Sequence, residues 1–370
     1  MRAERMLRPR IKPEHGRYVT IDGNIRIGAT VHGLGVEIED PDGWVRVLIG
    51  ALDGTRSPDE IVDVVLSDYP GVPAADAMQQ LSDAGFLEDA GAPVPVELSE
   101  RELERYSRGV AFFRWIDRTA RASAWDVQLR LRRSRVLLIG VGGTGGIVAQ
   151  GLVASGVGQL HCVDADVVEL SNLNRQILFR ENDIGRSKVE AAVQQLRALN
   201  SNVLVTGEQR RITEQSDLAE LLEPGYDLLA LCADQPRTIR RWANRACLAA
   251  GVPWVVGGYH GPTVSGSLHG PGQSACWECL HDHQVEQADM RLPPETTLAS
   301  LAPQLPWHPV NIVSATLTGT LLTHFALATL TGAPPIEPGF RYDVNLVRLD
   351  ASVPDRITSR PECPACGSAQ

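Results

Sequence analysis

A short apolar run followed by a cluster of glycines is the feature that most constrains this chain. Residues 136–139 are typical of a buried parallel strand. A helical pattern begins near Ile147. Glycines let a backbone turn approach phosphate oxygens, and a helix N-terminus offers them free N–H donors. The sequence therefore predicts a strand, a phosphate-binding turn and a helix, and the glycines of the turn are Gly140, Gly142, Gly143, Gly145 and Gly146.

A second predicted strand, residues 160–163, ends in a carboxylate. Asp164 lies 24 positions after Gly140, and nucleotide-binding sheets place the acidic residue for a ribose hydroxyl roughly 20 residues on. A hydride-transfer enzyme has no need for the polar series that follows, whereas arginine and lysine beside a phosphate loop suit chemistry on a triphosphate. The members of this series are Asp166, Asn172, Asn174, Arg175, Gln176 and Lys188.

The composition is that of a globular protein large enough for two domains. The chain has 370 residues, of which 43% are hydrophobic and 22% are charged. Serine, threonine and histidine interrupt the apolar residues 312–330, so we expect a buried helix there and no membrane segment. The first ten residues lack the apolar core of a signal peptide, which predicts a cytoplasmic protein. A net charge of −10 argues against a nucleic-acid partner, because phosphate contacts need a basic face.

The seven cysteines fall into two groups. Cys162, Cys232 and Cys247 stand singly among apolar residues, and we expect them to be small core side chains. The other four form two CxxC pairs, Cys276 with Cys279 and Cys363 with Cys366. In a chain without a secretory signal, these pairs predict a four-thiolate structural zinc site rather than disulfides, with redox or vestigial cysteines as the alternatives.

The first ninety residues predict a small α+β domain. Three short strands (17–21, 25–28 and 36–39) precede three helices (44–52, 58–67 and 74–84), and residues 86–88 return as a strand. Ser57 and Glu60 form a capping box at the start of the second helix. The pattern is winged-helix-like. We therefore expect a recognition domain at 1–92, a proline-containing linker at 93–101 and a larger domain at 102–370.

The larger domain predicts an α/β fold with a doubly wound, mostly parallel, Rossmann-like sheet. Strand patterns near 136–140, 160–164, 203–206 and 227–231 alternate with helical patterns. The last of these strands leads to Asp234. Because open α/β sheets bind ligands at the carboxyl ends of their strands, this carboxylate is a candidate site residue.

The segments DADVVELSNLNRQILF and GRSKVEAA resemble the adenylate-forming superfamily of ThiF, MoeB, MccB and the ubiquitin-activating enzymes, and the resemblance covers residues 99–370. It implies that ATP adenylates a peptide carboxylate with release of pyrophosphate. It also implies that Arg175 and Gln176 approach the triphosphate and that Lys188 binds phosphate. Asp164 then binds the ribose and Asp166 braces the loop. Superfamily members place a second CxxC pair near the C-terminus as a zinc clamp, as this chain does.

The resemblance assigns Asp234 to the Mg²⁺ that accompanies ATP. Relatives commonly have Thr-Asp-Asn or Ser-Asp-Asn at this point, whereas this chain has Ala233, Asp234 and Gln235. Arg108, in RYSRG, matches an arginine that in the family crosses a dimer interface to reach the neighbour's phosphates. This match predicts a homodimer with composite sites, and the alternative is a solvated helical arginine.

Thioester-forming members of the superfamily carry a nucleophilic cysteine after the first CxxC pair. Residues 281–312 of this chain contain no cysteine. Covalent thioester or acyl-disulfide chemistry therefore lacks its nucleophile. The members that resemble MoeB and MccB, which stop at an acyl adenylate or amidate, are the closer guides.

Residues 11–90 resemble the PqqD-like leader-recognition domains of ribosomal-peptide biosynthesis, most closely in ALDGTRSPDEIVDVV. An exposed edge strand in such a domain can accept an extended peptide. The alternatives are a dimerisation or stability appendage and a DNA-binding winged helix.

The whole pattern predicts an ATP-dependent enzyme that adenylates a ribosomally made precursor peptide, with a downstream modifying enzyme as a further partner. Alternatives are a noncatalytic leader-binding partner of a cyclodehydratase and an activator of a ubiquitin-like sulfur carrier.

Overall fold

A computed structural model describes residues 5–28, 33–272, 274–287, 309–349 and 354–367. The chain divides into two compact units. The first comprises Met1–Leu131 with Thr331–Pro335, and the second comprises Arg132–Leu330 with Ile336–Gln370.

The first unit combines two small antiparallel sheets with helices. Its strands are β1 (Pro9–Ile11), β2 (Arg17–Val19), β3 (Ile25–Ile27), β4 (Val36–Ile38) and β5 (Leu87–Asp89), and its helices begin with α1 (Trp44–Ala51), α2 (Pro58–Asp68) and α3 (Ala74–Asp83). Strands β2, β3 and β4 form one sheet, and β1 pairs with β5 in the other. The predicted strands and helices are confirmed to within two or three residues. Strand β1 was not predicted, because three residues are too few to show an alternating pattern.

The predicted capping box opens α2. The Ser57 hydroxyl accepts a hydrogen bond from the Glu60 N–H at 3.3 Å, and the Glu60 carboxylate accepts one from the Ser57 N–H at 2.7 Å. Ile61 and Val65 on the inner face of α2 are fully buried, as are Leu48 of α1 and Phe86 before β5. The unit therefore has a hydrophobic core of its own.

The first unit continues past the expected boundary at residue 92, through α4 (Glu100–Ile116) and most of α5 (Asp126–Arg133). Buried and half-buried polar contacts connect α4 to the N-terminal strands. Arg114 forms ion pairs with Glu14 and Glu88, and a ring nitrogen of His15 lies 2.8 Å from the Trp115 carbonyl oxygen. The segment between α4 and α5 begins at Asp117, which ends α4 and accepts the Thr119 N–H.

The second unit contains a sheet of eight described strands, and this sheet is mostly parallel, as the sequence predicts. Its strands are β6 (Arg135–Ile139), β7 (Gln159–Val163), β8 (Leu204–Glu208), β9 (Leu228–Leu231), β10 (Trp254–His260), β11 (Thr263–His269), β12 (Phe340–Asn345) and β13 (Pro354–Arg356). The order across the sheet is β13-β12-β11-β10-β9-β6-β7-β8. Strands β8, β7, β6, β9 and β10 are parallel, and the remaining three extend the sheet as an antiparallel edge. The strand order reverses between β6 and β9, where such sheets bind ligands.

Five further helices pack around this sheet. They are α6 (Gly143–Ser155), α7 (Lys188–Leu199), α8 (Gln215–Leu222), α9 (Ile239–Ala250) and α10 (Trp277–Gln287). Helix α6 begins at Gly143, four residues before the predicted start. The sequence obscures this start because glycines disfavour helix interiors. A Cβ atom at Gly145 would lie 1.8 Å from the Gly140 carbonyl oxygen, so tight packing requires glycine there.

Helix α11 (Ile312–Thr331) is the predicted apolar helix. Within the described ranges it is the one helix whose length and composition would allow it to cross a membrane. Its small residues pack closely against neighbouring elements. A Cβ at Gly319 would lie 2.6 Å from Ile147 of α6, and one at Gly257 of β10 would lie 2.9 Å from Thr318. Its small residues therefore permit close packing on α6 and the sheet.

We expect Gly85→Ala to destabilise the first unit strongly. Gly85 has φ +77°, and a Cβ there would lie 2.1 Å from the Arg118 carbonyl oxygen in the segment after α4. The strain of a left-handed residue together with overpacking should lower the free energy of unfolding by about 3–5 kcal/mol. Chemical denaturation would measure this.

Gly71→Ala is the matched control, because Gly71 has φ +85° and an added Cβ would meet nothing within 4 Å. Its cost should be limited to about 1–2 kcal/mol of backbone strain. Equal effects of the two substitutions would contradict the close packing of residue 85 against the segment after α4.

Candidate active site

A cavity of about 680 Å³ lies at the carboxyl ends of β6, β7 and β9. This is the place predicted for a ligand in an open α/β sheet. Ten of the predicted site residues line the cavity, which we call the cleft: Gly140, Gly142, Gly143, Asp164, Asp166, Asn174, Arg175, Gln176, Lys188 and Asp234. Three others do not line it: Gly145 packs beneath the glycine loop, Asn172 braces a neighbouring loop, and Arg108 belongs to the first unit.

Asp164 holds the glycine loop against the end of β7. Its two carboxylate oxygens accept hydrogen bonds from the Val141 N–H at 2.8 Å and the Asp166 N–H at 2.9 Å. Gly140 has φ +90°, and an added Cβ would lie 2.8 Å from the Ala233 nitrogen. The backbone of the loop therefore lies directly against the segment that follows β9.

Lys188 and Asp166 form an ion pair beside the loop. The Lys188 ammonium lies 3.0 Å from the Asp166 carboxylate, and the Asp166 carbonyl accepts the Lys188 N–H at 3.0 Å. Lys188 is only 7% exposed and begins α7. Its charge therefore coincides with the positive end of that helix, and the two together favour an anion in the cleft.

The loop after β7 holds Arg175 by contacts within the loop. The Arg175 guanidinium donates to the Ser171 carbonyl at 2.9 Å and to the Asn174 side-chain oxygen at 3.0 Å. Asn172 is buried, and its side-chain oxygen accepts the Glu169 N–H at 3.2 Å. The sequence predicted that Asn172 belongs to the cofactor site. In the structure it does not line the cleft but supports the loop that carries Arg175.

Gln176 and Tyr259 give the cleft polar groups at its wall. The side-chain oxygen of Gln176 is buried and has no hydrogen-bond partner among the described residues. Burial raises the pKa of Tyr259, which lies near Arg175 and Asp234. A buried, unsatisfied acceptor is costly, so the Gln176 oxygen is suited to a donor on a bound nucleotide.

Asp234 follows β9 and its side chain is exposed to the cleft. Within the described ranges it forms no hydrogen bond or ion pair that would occupy its oxygens. Carboxylate oxygens are the ligands that Mg²⁺ prefers, usually together with substrate phosphates. The donor set thus fits a magnesium ion that arrives with a nucleotide.

Sequence reasoning missed two arginines that line the cleft, Arg210 and Arg211. Arg210 pairs with Asp217 and Glu220, both at 2.8 Å, whereas the largely exposed Arg211 lies 3.5 Å from Asp166. Both follow β8, the third parallel strand. The rule that selected Asp234 after β9 would also have selected them.

Arg108 lies on α4 and is exposed. The structure describes it within the first unit, and its expected reach across a dimer interface stays a prediction.

Cys232, expected to be a core residue, lines the cleft instead. Burial raises the pKa of its thiol to about 12, so the thiol is protonated near neutral pH and is a poor nucleophile.

The four CxxC cysteines meet in one cluster. Their sulfur atoms all lie within 4.8 Å of one another. Individual separations are 3.9 Å for Cys276–Cys279, 3.7 Å for Cys276–Cys363 and 3.5 Å for Cys279–Cys366. Tetrahedral zinc with Zn–S bonds of about 2.3 Å requires sulfur separations of about 3.8 Å. The cluster therefore has the size of a four-thiolate zinc site, and none of its members lines the cleft.

Comparisons with known proteins agree with this geometry. The ThiF family profile matches residues 106–365. The chain is 35% identical over 253 residues to the sulfur carrier protein adenylyltransferase of Thermus thermophilus. The aligned region covers 65% of this chain and 84% of that protein. The chain is also 34% identical over 283 residues to adenylyltransferase and sulfurtransferase MOCS3 of Bos taurus, which covers 75% of this chain. The chain spans 56% of the length of that bovine relative.

Two solved structures share the fold over nearly the whole chain. Escherichia coli MccB superposes with a TM-score of 0.76 at 20% identity and covers 98% of each chain. PaaA superposes with a TM-score of 0.67 at 25% identity and covers 94% of this chain and 99% of that one. Since the family profile matches well over half of the chain, and the matched region contains the cleft and the cysteine cluster, the protein belongs to the ThiF family.

Proposed function

We propose that this protein is an ATP-dependent adenylyltransferase that activates a carboxylate of a ribosomally made precursor peptide. One observation carries the proposal: Lys188, Arg175 and Asp234, from three separate segments, line a single cleft beside a glycine loop. Adenylation joins two anions, a carboxylate and a triphosphate, so a site for it must supply positive charge and alignment. The names of the relatives found by comparison are those of adenylyltransferases.

The residues of the cleft divide this work. The glycine loop and the N-terminus of α7 offer N–H groups to phosphate oxygens. Lys188 and Arg175 offset the triphosphate charge, while Asp166 keeps the Lys188 ammonium in place. Asp164 would bind the ribose, and the free oxygen of Gln176 would accept a hydrogen bond from a donor on the nucleotide. Asp234 would hold Mg²⁺, which when bound neutralises charge that develops on the phosphates.

A peptide substrate is supported by two features of different kinds. Solved complexes of the fold relative MccB carry the peptide MccA. In this chain the first unit presents β2, an edge strand whose three residues are all exposed. We propose that β2 accepts the leader of the precursor as an added strand.

A second function has its own support. The Thermus relative is named a sulfur carrier protein adenylyltransferase, so this chain would activate a ubiquitin-like sulfur carrier by the same chemistry. The first unit favours the peptide, because adenylation of a carrier's C-terminus does not require a separate peptide-binding sheet. A noncatalytic role as a leader-binding partner would not require the full set of cleft residues.

We also propose that the enzyme works as a homodimer in which Arg108 of one protomer completes the site of its partner. The support is the match of RYSRG to the family pattern and the exposure of Arg108 on α4. Mixing Arg108→Ala and Lys188→Ala chains tests it. Partial recovery of activity would support shared sites, and a monomer in light scattering would contradict them.

We expect ATP–pyrophosphate exchange that depends on the precursor peptide, and we expect Asp234→Asn to reduce its rate by about 10²–10³-fold. The substitution keeps the size of the side chain but removes the charge that would hold Mg²⁺. Glu223→Gln, an exposed position outside the cleft, is the matched control and should leave exchange unchanged. Tight peptide binding by the wild type with no exchange would favour the noncatalytic role.

We expect Val19→Pro to weaken binding of the precursor at least about tenfold, because proline lacks the N–H that an added strand needs. Backbone hydrogen bonds at Gly16 and Thr20 fix the alternation along β2. The Tyr18 backbone therefore faces β3, and the Val19 N–H points away from it. Val19→Ala keeps the N–H and is the control. Calorimetric titration with the candidate precursor from the neighbouring reading frames would measure both. Equal affinities would exclude β2 as the docking strand.

We propose that the cysteine cluster binds one structural zinc ion per chain. Four thiolates leave no open coordination position, so the metal would join the C-terminal segment to α10 and take no part in the chemistry. Burial raises the pKa of Cys276 to about 11, and zinc binding would displace its proton.

We expect Cys363→Ser to lose zinc and to lower the melting temperature, while leaving the nucleotide contacts in place. A lost ligand should weaken zinc binding by more than the roughly 10–100-fold typical of changes in the groups around a metal site. Cys247→Ser, a buried cysteine outside the cluster, should retain full occupancy. Metal analysis showing well under one zinc per wild-type chain would refute the site.

A further inference from the structure

Two smaller cavities extend from the cleft within the second unit. The first, of about 340 Å³, shares Asp234, Gln235 and Tyr259 with the cleft. The second, of about 270 Å³, shares Arg237 and Arg240 with the first. The three cavities therefore follow one another through shared walls, with the proposed magnesium ligand between the cleft and the first of them.

The second cavity is strongly basic, and we call it the arginine pocket. Four of its ten lining residues are arginines: Arg237, Arg240, Arg241 and Arg341. No aspartate or glutamate is among the described residues that line it. In a chain with a net charge of −10, this concentration of positive charge indicates an anionic ligand.

Two of these arginines have carboxylate partners of their own. Arg341 lies 2.9 Å from Asp343 and also donates to Gln284 at 3.0 Å. Arg241 lies 3.4 Å from Glu278. These partners hold the guanidinium groups of Arg241 and Arg341, whereas the other two arginines of the pocket have none among the described residues.

The remaining two, Arg237 and Arg240, have no carboxylate within ion-pair distance in the parts of the chain that the structure describes. The Arg240 Nε is buried and lacks an acceptor there. Burial lowers the pKa of Arg240, the nearby Asp234 carboxylate opposes this effect, and the Arg341 charge lowers the pKa further. A buried guanidinium N–H without an acceptor is destabilising, and an incoming carboxylate would accept from it and from a neighbouring N–H of the same group.

The walls of the arginine pocket suit a side chain better than a second nucleotide. Its volume is below the roughly 300–1,000 Å³ of cavities that hold drug-sized ligands. On one side Trp277 stacks on His281 with ring centroids 4.7 Å apart and an angle of 9° between the ring planes. This pair provides a flat surface for the methylene groups of an acidic side chain.

We propose that the arginine pocket binds a second carboxylate of the substrate, close to the carboxylate that is adenylated beside Asp234. The inference rests on the proposed function and makes it more specific, because the substrate would carry two acidic groups near the reacting end. The second group is an aspartate or glutamate side chain or the C-terminal carboxylate, since either offers the same two oxygens to Arg237 and Arg240.

Three synthetic tetrapeptides, titrated calorimetrically into the full-length protein without nucleotide, test the inference. Acetyl-Gly-Gly-Glu-Gly-amide carries a side-chain carboxylate, acetyl-Gly-Gly-Gln-Gly with a free C-terminus carries a terminal one, and acetyl-Gly-Gly-Gln-Gly-amide carries neither. We expect one of the acidic peptides to bind at least about tenfold more tightly than the neutral one, given the strength of charge-assisted hydrogen bonds. The tighter of the two identifies the source of the carboxylate.

Arg240→Gln and Arg237→Gln should each abolish this preference, and Arg56→Gln in the first unit removes the same charge as a control. Arg237 is exposed, so its variant remains informative if Arg240→Gln is unstable in a melting experiment. No preference for either acidic peptide up to the limit of solubility would overturn the inference. A second outcome would also overturn it: inorganic pyrophosphate binds the wild type, the acidic peptides do not, and Arg237→Gln and Arg240→Gln both weaken pyrophosphate binding.

A titration with Mg-ATP on the same samples separates this inference from the proposed function. Variants that lose the acidic peptide but keep Mg-ATP would support the arginine pocket as a substrate site distinct from the cleft. A wild type that selects the acidic peptide but does not bind Mg-ATP would support the pocket and contradict adenylation.

Discussion

The Asp164 carboxylate is the contact on which the arrangement of the cleft depends. It accepts the Val141 N–H from the glycine loop and the Asp166 N–H from the loop after β7. It thereby connects the ends of two parallel strands. Asp166 in turn pairs with Lys188 at the start of α7. One carboxylate at the end of β7 therefore sets the positions of the phosphate-binding turn and, through its neighbour, of the buried lysine.

The net charge of the protein does not describe the charge at its cavities. The chain is acidic overall, yet four cations and three aspartates line the cleft, and the arginine pocket has four guanidinium groups and no carboxylate among its described lining residues. Acidic surfaces repel anions generally, whereas concave basic sites concentrate them locally. The proposed enzyme, which joins two anions, would benefit from this separation, because both ligands would be drawn to adjoining cavities.

The placement of the cysteines bears on the proposed chemistry, which would stop at an acyl adenylate. Residues 281–312 contain no cysteine, although residues 288–308 of that segment lie outside the described structure. Cys232 lines the cleft, but burial holds its thiol in the protonated form. Four further thiols form the cluster of Cys276, Cys279, Cys363 and Cys366, which has the size of a structural metal site.

The amino-acid sequence by itself determined the class of the sheet and most of the cleft. Glycines after an apolar run, a carboxylate after the next strand and the NLNRQ segment are local patterns. Parallel strands bring their carboxyl ends to the same edge, so such patterns predict which side chains meet. Asp164, Arg175 and Lys188 could therefore be predicted from the amino-acid sequence alone to line one cavity.

Other features depended on contacts between distant segments, which local patterns do not encode. The first unit extends beyond residue 92 because Arg114 pairs with Glu14 and Glu88. Asn172 and Gly145 support the site from below because packing, rather than residue type, decides which atoms reach a cavity. The arginine pocket joins α9 to β12, about a hundred residues later in the chain. Only the antiparallel extension of the sheet brings Arg341 near Arg240, because hydrogen bonding between strands places residues side by side without regard to their separation in sequence.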